Sequence, residues 1–319
     1  CPCCDDKPKS RHLNINLRKD VFRCPRCGFS GGVFDLYAYY ARIPREQVLS
    51  ALRDRLSVPA VRQAFHPPVL VEENPLTDVD ARHATYTALL ARLTLASDHR
   101  ENLLQRGLSQ GNISRLGYKT TPLVGCSSLV KRLQEEGRYL AGVPGFYKEG
   151  GRWSVKFPGR GILIPVRDAK GRIQGLQVRL DNAKKRKFRW VSSAGLPEGC
   201  GAKTWVHLAG DPRPLVLLTE GPMKADIIHA LTGQTVLAVP GVNSLSQLRP
   251  VIEKLRAAGM EKVMTAFDMD YLTNPHVLQG QESLAHLLDQ CGISYGTYLW
   301  DPRYKGLDDY IWGCLCGPK

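Results

Sequence analysis

Apolar positions in the C-terminal third of the chain fall into short runs separated by stretches of helical period. Leu215-Val216-Leu217-Leu218 has the length and character of a buried strand, and it ends in Thr219-Glu220-Gly221. Ile227, Ile228 and Leu231 then recur at helical spacing. Residues 235–239 predict a second strand, closed by Pro240-Gly241-Val242-Asn243-Ser244, and Leu248, Ile252 and Leu255 mark the helix that follows. Residues 262–267 predict a third strand and residues 295–300 a fourth. Strands alternating with helices call for an α/β fold, a parallel sheet with helices on its faces.

The rest of the chain is patterned differently. Residues 13–17 and 20–23 read as a β-hairpin, and residues 44–56 as an amphipathic helix with Val48, Leu52 and Leu56 on its packing face. Residues 57–75 are rich in proline, lack any period and read as a linker. A helical region is expected from Thr77 to about Gln105, with Ala81, Ala84, Ala88 and Leu89 as its apolar stripe. Residues 161–179 predict two strands joined by an Asp168-Ala169-Lys170-Gly171 turn. The expected domains are 1–57, a linker over 58–75, a basic α+β subdomain over 76–212, and the parallel-sheet domain over 213–319.

This patterning places acids where α/β proteins do chemistry, outside the carboxyl ends of the strands. Glu220 ends the first strand of the parallel sheet. Asp268-Met269-Asp270 follows the third, and residues two apart in an extended segment face the same way. Lys305-Gly306-Leu307-Asp308-Asp309 follows the fourth. Carboxylates gathered on one edge repel one another unless a hard divalent cation, Mg²⁺ or Mn²⁺, neutralises them, and phosphoryl transfer is the chemistry such an edge suits.

Two further stretches carry chemistry. Cys1-Pro2-Cys3-Cys4 and Cys24-Pro25-Arg26-Cys27 form a C-x2-C pair, a gap of nineteen residues, and a second C-x2-C pair. That spacing points to a closed zinc site of Cys1, Cys4, Cys24 and Cys27 around the hairpin, a zinc ribbon; two disulfides or free buried thiols are the other reading. Cys3 could exchange with Cys4, but Cys4 keeps the two-residue gap. Lys184-Lys185-Arg186-Lys187-Phe188-Arg189-Trp190 interleaves five cations with two aromatics. Such a run tracks phosphates and stacks bases on single strands, although a basic run is also an ordinary solvated face and Trp190 could equally be core. His207 and His229 read as structural or surface residues, and Cys314 and Cys316 lack partners at zinc spacing.

Composition narrows the class. The 319 residues carry 44 Lys and Arg against 30 Asp and Glu, a net charge of +14, which favours a polyanionic partner. No apolar run approaches the roughly 18 residues of a membrane span, and no signal peptide opens the chain. With four of the ten cysteines in a metal pattern, a reduced, cytoplasmic setting is expected. The first residue is Cys1, so residues upstream are expected to be missing.

Taken in order, these motifs resemble a bacterial-type DNA primase of the DnaG kind, of the variety carried by plasmids, phages or other mobile elements. Glu220-Gly221, Asp268-x-Asp270 and Lys305…Asp308-Asp309 resemble the TOPRIM domain. Cys27-Gly28-Phe29-Ser30-Gly31-Gly32-Val33-Phe34-Asp35-Leu36 resembles the end of the primase zinc-binding domain. Arg106-Gly107-Leu108-Ser109 through Leu116-Gly117-Tyr118 resembles the start of the primase core, though alone it is a helix pair of any α/β protein. Residues 161–179 are similar to the segment ahead of the TOPRIM domain in that family. The resemblance implies Glu220, Asp268 and Asp270 as catalytic Mg²⁺ or Mn²⁺ residues, with Asp308 and Asp309 as further acids. It implies Arg179, Lys184, Lys185, Arg186, Lys187, Arg189, Trp190, Lys224 and Lys305 as contacts to template or nucleoside triphosphate. The expected activity is nucleotidyl transfer, short RNA primers laid down on single-stranded DNA, with a replicative helicase as a further partner.

One position departs from the pattern. Primases usually carry an aspartate three residues after the motif's glycine, and this chain has Lys224 there, with Asp226 as the nearest acid that could substitute. That departure, and an end soon after Asp309, keep a second reading open: a RecR-like protein that binds single strands without synthesis. A TOPRIM nuclease is a third.

Overall fold

Pairing of short strands builds the first of the two units, Cys1–Val69 and Leu70–Lys319, into which the computed structural model divides. It describes residues 1, 3–4, 12–18, 20–57, 72–183, 186–241, 245, 247–268 and 275–316, with the backbone alone at 55–57 and 275–279.

In the first unit β1 (Asn14–Asn16) pairs antiparallel with β2 (Val21–Arg23), and β3 (Ser30–Gly32) pairs with the other edge of β2. Strands of three residues cannot enclose a core of their own; Phe22, Cys24 and Val48 are its buried side chains among the described residues. Helix α1 (Val33–Ala41) opens where the Asp35 carboxylate accepts the Gly32 N–H at 2.7 Å. That amide, with Arg45 close by, holds the Asp35 carboxyl below its usual range. The helix expected from residue 44 starts as a 3-10 turn, Arg45–Gln47, before α2 (Val48–Ser57). Of its expected stripe Val48 is buried and Leu52 half-buried, while the side chain of Leu56 lies outside those described.

The second unit begins inside the expected linker. Glu198 N–H donates to the Glu72 carbonyl at 2.8 Å, Asn74 N–H to Gly199 at 2.8 Å and Thr77 N–H to Gly142 at 3.0 Å. Residues 72–77 are therefore bonded into the fold; residues 58–71 lie outside the described ones. The single helical region expected over 77–105 is two helices, α3 (Val79–Ala91) and α4 (Ser97–Gln105). The break between them is fixed by Thr120, whose hydroxyl accepts the Ala96 N–H at 2.9 Å. Helix α3 buries Tyr86, Leu89 and Leu90, leaving Ala81 and Ala84 half-buried, because the bulky side chains remove more apolar surface from water. Helix α5 (Gln110–Leu116) is capped by Ser109 and stopped by Gly117 at φ 77°. Then follow β4 (Lys119–Thr120), α6 (Cys126–Glu135), the hairpin β5 (Phe146–Glu149) and β6 (Arg152–Val155), β7 (Gly161–Arg167), β8 (Ile173–Leu180) and β9 (Phe188–Trp190).

An antiparallel sheet runs in the order β4-β7-β8-β9. In the turn between β7 and β8 Asp168 Oδ1 accepts the amides of Lys170 and Arg172, both at 2.9 Å. Leu163, Leu176 and Val178 face a core shared with α3 and α6. Alternation sends Gly175, Gln177 and Arg179 to the opposite face of β8. A Cβ on Gly175 would lie 2.4 Å from the Trp205 ring. Gly175→Ala is therefore expected to cost about 1–3 kcal/mol by overpacking, read as a lowered midpoint in urea unfolding.

The parallel sheet comprises β10 (His207–Ala209), β11 (Leu215–Glu220), β12 (Val236–Val239), β13 (Lys262–Thr265) and β14 (Ser294–Thr297), with α7 (Pro222–Thr232), α8 (Leu248–Ala257), α9 (Pro275–Gln290) and α10 (Leu307–Cys316) on its faces. Its order is β10-β12-β11-β13-β14, parallel except for β10 on the edge. Strands β11 and β12 alternate between two cores. Val216, Leu218, Leu237 and Val239 pack with α8 and α9, while Leu217, Val236 and Ala238 pack with α7 and α10. The fourth strand stops at Thr297, short of the expected residue 300. Among the described residues no helix is long and apolar enough to cross a membrane.

Candidate active site

Chain order and strand order part company at β11. The connection through α7 leads to β12 on one side, and the next strand, β13, lies on the other. At such a switch point the two crossovers leave in opposite directions and open a crevice beyond the strand ends. Glu220, the last residue of β11, is exposed there. Gly221, at φ 88°, turns the chain into α7, a conformation that disfavours a side chain. On the neighbouring strand the Ala266 N–H donates to the Leu218 carbonyl at 2.7 Å, and the Thr219 hydroxyl donates to the Ala266 carbonyl at 2.9 Å. These bonds carry β13 straight on to Asp268.

Glu220, Asp268 and Asp309 line one wall of a cavity of about 450 Å³. Asp309 comes from the first turn of α10, beside Gly306. The same cavity is lined by Arg106, Arg179, Lys187, Lys224 and Lys305, so cations outnumber acids. Gln177 and Phe188 complete the wall supplied by β8 and β9.

The charges of this cavity are under electrostatic strain in both senses. Burial, then the neighbouring Asp308, holds the Asp309 carboxyl above its usual range, with Asp268 adding to the effect and Arg106 and Lys224 opposing it. Burial, then the nearby Arg106, lowers the Arg179 guanidinium. A cation near the acids and an anion near the guanidiniums would relieve each strain. Gln177 Oε1, Arg106 Nε and Asp308 Oδ1 are buried and have no hydrogen-bond partner among the described residues.

Asp268 meets two ammonium groups. Lys224 donates to its Oδ1, and Lys305 Nζ lies 3.8 Å from its Oδ2. Asp308 points inward, 2% exposed, and accepts from Arg106 at 2.8 Å, so it fixes the guanidinium instead of lining the cavity. Asp226 is also placed elsewhere. Its Oδ2 accepts from the Tyr118 hydroxyl at 2.6 Å, and its Oδ1 lies 3.1 Å from His207 Nε2. Since the Arg167 amide donates to His207 Nδ1 at 2.9 Å, the ring proton sits on Nε2 and faces Asp226. This buried network ties α7 to β10 and to the chain after α5, and the expectation of Asp226 as a substitute metal ligand is corrected: helical period turns it inward, away from Lys224.

Of the basic run, Lys187 and Phe188 reach the cavity. Arg189 pairs beside Val178 on the opposite face of the sheet, and Trp190 stacks edge-on against Trp205, centroids 5.4 Å apart. Arg186 is exposed at φ 53° and does not line the cavity. Lys184, Lys185 and Asp270 lie outside the described residues. Arg106 and Gln177 were not anticipated as cavity residues. Arg106 stands inside the quoted Arg106-Gly107-Leu108-Ser109 run, and the alternation that selects Arg179 selects Gln177 as well.

In the first unit Cys1, Cys4, Cys24 and Cys27 bring their sulfurs within 4.8 Å of one another, the one such cluster of metal-binding side chains among the described residues. Cys1 and Cys27 are 3.6 Å apart, as are Cys4 and Cys24. A tetrahedron with zinc–sulfur bonds of about 2.3 Å has edges of about 3.8 Å, so the four thiols fit zinc. The second knuckle is closed by Gly28, at φ 75°, donating to the Cys24 carbonyl at 3.0 Å. Burial, then hydrogen bonds with Cys27 and Cys24, pushes the Cys4 thiol up to about 11. Burial acts the same way on Cys24, but the Cys27 and Arg26 amides outweigh it and bring that thiol down to about 7. Cys3 stands exposed outside the cluster. Because so little else is buried here, Cys24→Ser or a strong chelator is expected to unfold this unit while leaving the second one folded. Amide resonance dispersion and metal release, followed together, would show it; a unit still folded without metal would refute it.

The profile of one protein family, described as a domain of unknown function (DUF3854), matches residues 204–314, the parallel sheet and its helices. No curated protein matches the chain. Among solved structures, the zinc-binding and RNA polymerase domains of the Aquifex aeolicus primase are 18% identical, with 98% of this chain and 74% of that one covered at a TM-score of 0.55. The E. coli primase catalytic core is also 18% identical, with 73% and 78% covered at 0.52. A DnaG primase catalytic domain bound to single-stranded DNA is 17% identical, with 74% and 82% covered at 0.52. What the chain has in common with these DnaG-type primase domains, at such identities, is their fold.

Proposed function

We propose that the chain is a DnaG-like primase that joins ribonucleotides into short primers on single-stranded DNA, with residues 1–57 as a zinc ribbon, 76–212 as the basic part of the catalytic core and 213–319 as a TOPRIM domain. The observation that carries this reading is the two-sided cavity, in which acids at the ends of β11 and β13 face a basic wall from α4, β8 and β9. Oxygen ligands alone on the acid side suit Mg²⁺ or Mn²⁺ in their chemistry. Glu220 and Asp268, with Asp270 on the same segment, would hold it, and when bound it supplies charge neutralisation at the transferring phosphoryl group.

The protein's own groups do the rest. Arg179 and Arg106 hold the triphosphate, and their mutual repulsion makes an anion there favourable. Lys187 and Phe188 stand beside them, one for phosphate and one for a base face. Positioning of the 3′-hydroxyl against the triphosphate supplies most of the rate in such chemistry. The DnaG domain bound to single-stranded DNA supports a single-stranded template, and the four thiols support zinc as a structural ion. The test is synthesis from labelled ribonucleotides on a mixed single-stranded template with Mg²⁺. Short products dependent on template and metal are expected.

One observation favours a second reading. Lys224 already neutralises Asp268, which suits a protein that binds single strands without synthesis. Salt-sensitive binding with no product under any divalent ion would select it.

A further inference from the structure

Gln177 lines the cavity although its side chain is almost wholly enclosed, at 3% exposure. Its Oε1 has no hydrogen-bond partner among the described residues. An acceptor left unpaired in an interior costs stability, and an apolar side chain of the same length avoids that cost. Packing therefore gives no reason for an amide at this position. Its neighbours on the ribbon of β8 and β9 supply one. Residues directly opposite in an antiparallel pair share a face, so Arg179 and Phe188 stand together on the cavity side, with Gln177 and Trp190 together one step further along. That step of two residues is about 7 Å. Phe188 is 43% exposed and open to a flat ligand, whereas Trp190 is engaged edge-on by Trp205. The ribbon thus presents a cation, an aromatic face and then an unpaired amide.

We propose that Gln177 is a specificity-determining residue of the cavity, its amide oxygen accepting a hydrogen bond from the nucleoside of a bound nucleotide, through a ribose hydroxyl or a base N–H. This rests on the reading of the cavity as a nucleotide site. With phosphates at Arg106 and Arg179 and a base against Phe188, the nucleoside lies next along the ribbon from the cations, where Gln177 stands. The last side-chain torsion of glutamine is broad and two-fold, so a half turn exchanges the oxygen and nitrogen ends of the amide, and no bond to Oε1 opposes that turn. The cations of the cavity attract any polyphosphate. A neutral amide adds little to that attraction and adds a preference among nucleosides instead. A site that hydrogen-bonds a substrate donor rejects the analogue lacking it, because its own acceptor is then left unpaired.

The experiment compares the zinc-loaded full chain with its Gln177→Met variant, in which methionine keeps the length of the side chain and removes the amide. Calorimetric titrations use inorganic tripolyphosphate, the four ribonucleoside triphosphates and their 2′-deoxy counterparts. Wild type is expected to bind nucleoside triphosphates more tightly than tripolyphosphate, and Gln177→Met to lose about 2–10-fold of that surplus, the scale of one hydrogen bond, with tripolyphosphate unchanged. A loss seen with all four ribonucleotides and absent from the deoxy forms assigns the bond to the ribose; a loss confined to certain bases, equal in both sugars, assigns it to the base. Without ligand, Gln177→Met should melt at the wild-type temperature or above it, since an unpaired acceptor is gone. A lower melting temperature would make the amide a structural group and overturn the proposal. So would unchanged nucleotide affinities, or a loss shared equally by tripolyphosphate, with the nucleotide-site reading left standing. Wild type binding neither nucleotides nor tripolyphosphate would overturn both.

Discussion

Replacing Asp268 with alanine is expected to lower templated ribonucleotide incorporation by about 10²–10³-fold or more, the usual scale for deleting a charge-stabilising group at a reacting centre. Its carboxylate lies at the switch point of the sheet, lines the same cavity as Glu220, accepts from Lys224 and is ion-paired with Lys305. Removing it makes the cavity more positive by one charge, so affinity for a polyanion should hold or rise as turnover falls. That split separates a catalytic role from general damage. The Lys224–Asp268 pair is partly shielded, at 24% and 19% exposure, so stability is expected to fall by more than the about 0–1 kcal/mol of a surface pair and by less than the about 3–5 kcal/mol of a fully buried one. Fluorescence anisotropy on a labelled single strand, thermal melting and primer synthesis on the same preparation would settle it. Equal loss of binding and synthesis, or undiminished synthesis, would be fatal to the role assigned to Asp268.

Asp226→Ala should do the reverse, destabilising the second unit by about 3–5 kcal/mol and leaving Mn²⁺ binding at the cavity intact. The side chain is 3% exposed, and both of its oxygens serve buried groups. Without it the Tyr118 hydroxyl and the His207 ring N–H are left in the interior with no acceptor. His207 cannot simply turn its ring, because Nδ1 is held by the Arg167 amide. For a unit of this size the loss corresponds to a drop in Tm on the order of 10 °C. Tyr118→Phe removes a donor and leaves the carboxylate its histidine, so it should cost less, about 1.5–3 kcal/mol. A melting temperature for Asp226→Ala within a degree or two of wild type, or loss of Mn²⁺ binding in the folded variant, would contradict this placement.

These two acids show how far local sequence carries. Asp226 lies only two residues beyond Lys224, and a motif count places it as near the strand ends as any other acid. Helical geometry turns it about 200° away, into the face that packs on the sheet. Asp268 follows an apolar run that could only be a strand, so its position at a strand end was legible. The basic run shows the same divide. Its composition reads as a polyanion contact or a solvated face, and pairing with β8 sends Lys187 and Phe188 to the cavity, Arg189 to the other face and Trp190 against Trp205. The break within residues 77–105 was not legible, because the hydroxyl that secures it belongs to Thr120 in another strand.

By itself the sequence determined what depends on neighbours along the chain. Apolar runs of strand length, helical period between them and two C-x2-C turns specified a sheet with acids at its strand ends and a four-thiol cluster. The tertiary structure alone decided which charges meet. Arg106 is bound to Asp308, Lys224 to Asp268 and Tyr118 to Asp226 across 202, 44 and 108 residues. Periodicity reports that a position is buried or exposed, through the free energy of removing apolar surface from water. It carries no information about which partner a buried charge will find, and that choice sets the chemistry of the cavity.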